Sequence, residues 1–139
     1  MGSHQTAISR KKLSTPAQYL RDQSLIVGRG LDYGCGKGFD ADTLCLDGYD
    51  PYFRPQFPTG RYDTILCTYV LNVIESAAER LQVLNNISNL LTPNGVAYIT
   101  VRNDVKKDGP TSKGWQGTIS LPYPVLRKTS GYIIYEMRK

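Results

Sequence analysis

Three alternating glycines stand directly behind an acidic residue in Leu31-Asp32-Tyr33-Gly34-Cys35-Gly36-Lys37-Gly38. Glycine accepts positive φ and adds no side chain, so such a loop brings backbone close to a ligand, and a helix starting at its end presents free amides. A second carboxylate, Asp50, follows Asp32 at about the twenty-residue offset expected of a group that binds ribose hydroxyls. The set reads as a cradle for a nucleoside cofactor, and two kinds of nucleoside suit it. A dinucleotide seats its pyrophosphate on a helix N-terminus through a GxGxxG loop. Here the spacing is GxGxG, and a carboxylate at the mouth repels phosphate but attracts the ammonium of a methionine moiety. A cationic sulfonium also tolerates nearby aromatic faces, which the tyrosines around the loop supply. The sulfonium nucleoside is the better fit, with the dinucleotide as the alternative.

A second group lies at Thr68-Tyr69-Val70-Leu71-Asn72. Tyr69 is a candidate to orient an acceptor or stabilise charge, and Asn72 to hydrogen-bond it; the plainer readings are a packing aromatic and a turn residue. Arg102 and Asp104 are candidate rim residues or ordinary loop charges. Lys113 beside Trp115, flanked by glycines, reads either as a base-stacking lid or as a cover for the core. Ser9-Arg10-Lys11-Lys12 is expected to fold over the cofactor or to touch phosphate, or else to fray. Cys67 invites attack as a nucleophile, but its place in an apolar strand favours a small core residue.

Positioning these groups takes a strand at Ile26 to Tyr33 feeding the glycine loop, with a short helix over Asp40 to Leu46 behind it. Asp47 to Asp50 predicts a brief strand ended by Pro51. Tyr62 to Val70 is nearly all apolar, β-branched or aromatic, the pattern of a central strand buried on both faces. Leu81, Leu84, Ile87 and Leu91 predict an amphipathic helix over 76–91, stopped by Pro93-Asn94-Gly95 ahead of a strand from Val96 to Val101. Thr15-Pro16 predicts an earlier helix over 16–23, with the hydroxyl as cap. Beyond a polar stretch from Arg102 to Gly117, strands are expected at Thr118 to Leu121, Val125 to Lys128 and Tyr132 to Met137, the last two joined by a turn at Lys128-Thr129-Ser130-Gly131. Alternating strands and helices imply a parallel sheet with an antiparallel terminal hairpin. Ligands of such sheets sit beyond the carboxyl ends of the strands, which gathers Asp32, Asp50 and Thr68 to Asn72 on one edge.

The chain of 139 residues, 40% hydrophobic, is expected to form one domain at 15–139 after a basic arm at 1–14. Met1-Gly2-Ser3-His4 reads as an expression scar, and it holds the one histidine, so histidine catalysis is set aside. Three cysteines without paired metal-ligand spacing point to a reducing, cytoplasmic setting and to no metal site. A polar start and the lack of a long apolar run predict neither a secretory signal nor a membrane span. A net charge of +5 suits a polyanionic partner or a plainly solvated surface.

Asp32 to Gly38 resembles the first motif of the class I S-adenosylmethionine-dependent methyltransferases, Gly48-Tyr49-Asp50 their second, and Tyr62 to Tyr69 their fourth. Within that class the chain is most similar to methyltransferases associated with DNA phosphorothioation and their short, phage-borne relatives. That likeness rests on Thr6-Ala7-Ile8-Ser9-Arg10, on Asp32-Tyr33-Gly34-Cys35-Gly36, and on Tyr69-Val70-Leu71-Asn72-Val73-Ile74-Glu75 with Glu79-Arg80. The resemblance implies a minimal Rossmann-like α/β sheet, mostly parallel with an antiparallel C-terminal hairpin, and S-adenosyl-L-methionine as cofactor. It implies cofactor contacts from Asp32, Tyr33, Gly34, Cys35, Gly36, Gly38, Asp50, Pro51, Tyr52, Thr68 and Tyr69, with Tyr69 and Asn72 catalytic. The chain departs from the class between Asp50 and Tyr62, where eleven residues are too few for a further crossover, so the usual third strand is expected to be absent. Adenine would then stack on Tyr52 and Phe53, unless these merely cover the sheet edge. Neither the proline that precedes the cysteine of cytosine-ring methyltransferases nor the NPPY of exocyclic-amine methyltransferases is present; Asp50-Pro51-Tyr52 is similar to the latter but sits on the wrong strand. Three functions follow as expectations: methylation of nucleic acid, methylation of a small molecule or protein side chain, and a donor-binding regulatory module without turnover.

Overall fold

The computed structural model describes residues 10–139; Met1 to His4 and the Thr6 to Ser9 block lie outside the described residues. In chain order the elements are α1 (Thr15–Asp22), β1 (Gly30–Tyr33), α2 (Phe39–Thr43), β2 (Asp47–Tyr49), β3 (Tyr62–Thr68), a 3-10 turn (Leu71–Val73), α3 (Ala77–Leu90), β4 (Leu91–Arg102), β5 (Gly109–Thr111), β6 (Gly114–Gln116), β7 (Val125–Lys128) and β8 (Tyr132–Arg138). Six strands form one sheet in the order β2-β1-β3-β4-β8-β7. β2, β1, β3 and β4 run parallel, and β8 and β7 are antiparallel additions. This is the expected small class I methyltransferase architecture. Among the described residues no strand follows β2 in the place of a third, so β2 is the sheet's edge. No helix among them is long and apolar enough to cross a membrane.

β3 lies centrally because Ile65, Leu66 and Cys67 are apolar on both faces, and all three are fully buried. On one face Ile65 and Cys67 meet Val83, Ile87 and Leu90 of α3, and on the other Leu66 meets Ala17 and Leu20 of α1. Asp32 is the register partner of Leu66, so strand alternation turns its carboxyl to the α1 side, while Leu31 and Tyr33 join the α3-side core.

Several elements differ from expectation for local reasons. β1 begins only at Gly30, because Gly28 is left-handed (φ 65°) and the Thr64 hydroxyl engages both the N–H and the carbonyl of Val27. The cap of α1 is Ser14, one residue earlier than Thr15, and its Oγ accepts from the Ala17 amide. Leu81 is 58% exposed, and the buried stripe of α3 runs through Val83, Ile87 and Leu90 instead. Pro93 to Gly95 falls in an irregular start to β4, where the register with β3 shifts between Tyr62 and Thr64. Thr118 to Leu121 is not a strand: the Thr118 amide donates to Asp108, and Pro122 and Pro124 remove two ladder donors. The polar stretch before it folds into the β5–β6 hairpin.

Candidate functional site

β1 and β2 end side by side, and the glycine loop is fastened between them. The amides of Gly34 and Cys35 both donate to the Tyr49 carbonyl, at 2.7 and 2.9 Å, and that of Gly36 donates to Asp50 Oδ2 at 3.1 Å. Asp50 Oδ1 accepts from the amides of Tyr52 and Phe53 at 2.9 and 3.0 Å, so its buried carboxylate is braced by three N–H groups. Gly34 and Gly38 hold φ of 85° and 94°. A Cβ at Gly34 would run into Cγ2 of Val70, and one at Gly38 into the guanidinium of Arg54.

Beneath the loop Asp32 is only 4% exposed. Burial first, and the charge of Asp40 next, push its carboxyl up to about 8, against the opposing pull of Arg54 and Arg10. Asp40 is itself held by Ser14, whose amide donates to Oδ1 at 3.0 Å and whose hydroxyl donates to Oδ2 at 2.6 Å. α1 and α2 thereby close one wall around two neighbouring carboxyls. A dry carboxyl beside a second one disfavours an anion and is relieved by a cation, so these residues fit a positively charged sulfonium nucleoside better than a pyrophosphate.

At the end of β3, Tyr69 takes φ of 60°, a conformation that costs a bulky residue about 1–3 kcal/mol and persists only where the surroundings enforce it. Its amide donates to the Thr100 carbonyl at 2.8 Å, and its ring lies under Arg102, 5.6 Å from centroid to Cζ. Asp104 holds the Arg102 fork with contacts of 2.9 and 2.6 Å. Burial raises the Tyr69 phenol, so it stays protonated as a hydrogen-bond donor. Asn72 Nδ2 donates to Gln116 Oε1 at 3.0 Å, and the Asn72 carbonyl accepts from the Gly117 amide at 2.8 Å. Its own Oδ1 is buried and has no partner among the described residues.

The profile of the methyltransferase domain family matches residues 6–128. The chain belongs to that family. Membership bears out the expected methyltransferase family. No curated protein matches the sequence. Among solved structures, the methyltransferase resembles 1,6-didemethyltoxoflavin-N1-methyltransferase of Burkholderia thailandensis, with a TM-score of 0.68 and 18% identity over 90% of this chain and 77% of that one. It resembles the N-methyltransferase NodS of Bradyrhizobium japonicum WM9, with a TM-score of 0.54 and 22% identity over 65% of this chain and 60% of that one. A S-adenosylmethionine-dependent methyltransferase of Clostridium acetobutylicum gives a TM-score of 0.52 and 13% identity over 87% of this chain and 70% of that one. The chain thus spans less than two thirds of NodS, and at such identities the likeness is one of fold. The first two neighbours carry S-adenosylhomocysteine.

In this methyltransferase the strand ends bring Asp32, Gly34, Gly36, Gly38, Asp50, Thr68 and Tyr69 to one edge of the sheet. Tyr33 contributes backbone there. Its ring turns into the α3-side core, 5.0 Å from Tyr49 between centroids, and its hydroxyl accepts from Asn86. The Cys35 thiol points toward Gly48 and is pushed up to about 12, mainly by burial. Cys67 is fully buried, and burial pushes its thiol up as well. Pro51 and Tyr52 lie on the turn after β2, with Tyr52 61% exposed and edge-on to Phe53 at 4.8 Å. Trp115 packs against the core with Arg80 over its ring. Sequence reasoning passed over Ser14, Asp40, Arg54 and Gln116, because each acts through a partner distant in the chain. The sole early signal was Ser14 standing just ahead of a proline-started helix.

Proposed function

We propose that this chain transfers the methyl group of S-adenosylmethionine to a small-molecule acceptor. The observation that carries the reading is the buried Asp32–Asp40 pair beneath a glycine loop, beside a strained Tyr69 on the same sheet edge. Asp32 receives the donor's ammonium group, the amides of Gly34 to Gly38 follow its backbone, and Asp50 takes a ribose hydroxyl with its remaining lone pair. Cys35, Pro51 and Tyr52 flank the adenine side, and Thr68 with Tyr69 closes the floor. When bound, the donor supplies an electrophilic methyl on positively charged sulfur. The residues therefore need chiefly to align an acceptor and exclude water, which is worth at most about 7–11 kcal/mol. Tyr69 and Asn72 orient the acceptor, one through a neutral phenol and the other through its unpaired Oδ1. Residues 15–139 act as the one domain, and the charge of Arg10 reaches both Asp32 and Tyr69.

The small-molecule acceptor is favoured by how the positive charge is spent. Arg21, Arg29, Arg54, Arg102 and Arg138 each face a carboxylate within ion-pair distance, which leaves these guanidinium groups poor at lining a phosphate track. The fold neighbour of highest quoted TM-score is named for a small heterocyclic substrate. Kinship with the phosphorothioation-associated enzymes rests on the motif blocks and makes nucleic acid the competing acceptor. A reducing cytoplasmic setting belongs to the same reading, with Cys35, Cys45 and Cys67 all free thiols. Incubation with methyl-labelled donor and a cell extract, then separation into small molecules, protein and nucleic acid, should put the label in the first fraction. Label confined to nucleic acid or protein would overturn the choice of acceptor.

A further inference from the structure

β2 is an open edge, and nothing regular follows it until β3. Asp50 and Arg54 nevertheless exchange backbone hydrogen bonds of 3.0 and 2.9 Å, closing a short loop that presents the Asp50 carboxylate to Gly36. The Arg54 side chain then reaches back across the cradle. Nη1 and Nη2 donate to the two oxygens of Asp42 at 2.9 and 2.8 Å, and Nη2 also donates to the Lys37 carbonyl at 3.0 Å. One guanidinium thus ties together α2, the glycine loop and the turn that carries Asp50, and it occupies the space that a Cβ at Gly38 would need.

We propose that Arg54, clamped by Asp42, is the positioning residue of the donor site, supplying the bracing that an absent third strand leaves undone. The inference rests on the donor-binding reading above. The fork geometry matters: arginine offers several donors in a rigid plane, enough for a bidentate carboxylate and a carbonyl at once, whereas lysine offers a point charge. The pair is not a foundation of the fold. Asp42 is 66% exposed at its side chain and Arg54 34%, and ion pairs so placed contribute little to stability. Its effect therefore falls on the register of Gly36, Gly38 and Asp50 toward the ligand.

The test is calorimetric titration of S-adenosylhomocysteine into the wild type, Arg54→Ala, Arg54→Lys and Asp42→Asn, with a melting curve for each. The expected result is wild-type binding, an affinity loss of about tenfold or more in Arg54→Ala at a nearly unchanged melting temperature, and intermediate losses in the other two. Movement of the Gly36 amide resonance in Arg54→Ala should accompany the loss. Arg54→Ala binding within about twofold of wild type would overturn the proposal while leaving the donor site standing. So would a loss that simply follows a falling melting temperature and is not recovered by Arg54→Lys. If Arg54→Ala does not fold, the two milder variants decide by the same criteria. A wild type that binds nothing overturns the donor reading, and this proposal with it.

Discussion

Replacing Asp32 by asparagine should make the protein more stable while disabling it, and the structure fixes the sign and scale of the gain. The Asp32 carboxyl moves from 3.8 in the unfolded chain to about 8 in the folded one, mainly through burial. A carboxyl raised in this way contributes stability that is fully present below pH 4 and is lost as pH rises through 8, because the unfolded chain ionises freely and the folded one does not. At pH 7 the gap from 3.8, at 1.36 kcal/mol per pH unit, amounts to about 4 kcal/mol as an upper bound. Asparagine mimics the protonated form and never ionises, so that cost disappears. Urea unfolding at pH 5, 7 and 9 should show Asp32→Asn more stable than wild type by a margin that grows between pH 5 and 8 and then levels off. Even about 2 kcal/mol of it would raise the melting temperature by roughly 8 °C at this chain length. A margin independent of pH, or a variant less stable than wild type at pH 9, would refute the reasoning. The same variant should lose donor affinity, since it lacks the charge that receives the ammonium.

Linkage makes a companion case: a cationic donor must lower the Asp32 value on binding, so binding at pH 6 should release a proton. Near pH 9 proton uptake should replace release, because the donor's own α-amino group, which titrates at about 8 when free, must be protonated to bind as ammonium. Calorimetry in two buffers of different ionisation heat measures this directly. Gly38→Ala forces a Cβ into Arg54 at a left-handed position, and should cost about 1–3 kcal/mol in urea unfolding together with weaker donor binding. Asn72→Ala cuts the Asn72–Gln116 bond, so the β5–β6 hairpin should exchange its amide hydrogens faster while donor affinity holds and methyl transfer falls.

Much of the fold could be read from local pattern. The apolar run of β3 identified the sheet's centre, and the eleven residues between Asp50 and Tyr62 identified the missing strand, since a crossover cannot be compressed below a minimum length. The glycine loop and its two carboxylates were equally plain, because backbone conformation and charge at a strand end are properties of residue type. What escaped the sequence depends on partners that pattern does not name. Gly109-Pro110-Thr111 and Gly114-Trp115-Gln116 show no alternation, yet they pair because Asn72 holds the hairpin down. Ile119 and Leu121 do alternate, yet the prolines after them supply no ladder donors. Leu81 shares the three- and four-residue spacing of α3 but lies outside its buried stripe. The net charge of +5 suits a polyanionic partner and a solvated surface alike, because a sum of charges does not say where on the surface the cations left over from ion pairs stand.

The most direct measurement is a calorimetric comparison of S-adenosylmethionine with a nicotinamide dinucleotide, on wild type and on Asp32→Ala. One molecule of S-adenosylmethionine should bind per chain, the dinucleotide should give no heat, and Asp32→Ala should bind neither while remaining folded. Heat from the dinucleotide alone, or S-adenosylmethionine binding undiminished in Asp32→Ala, would contradict the seat described between Asp32 and Asp50.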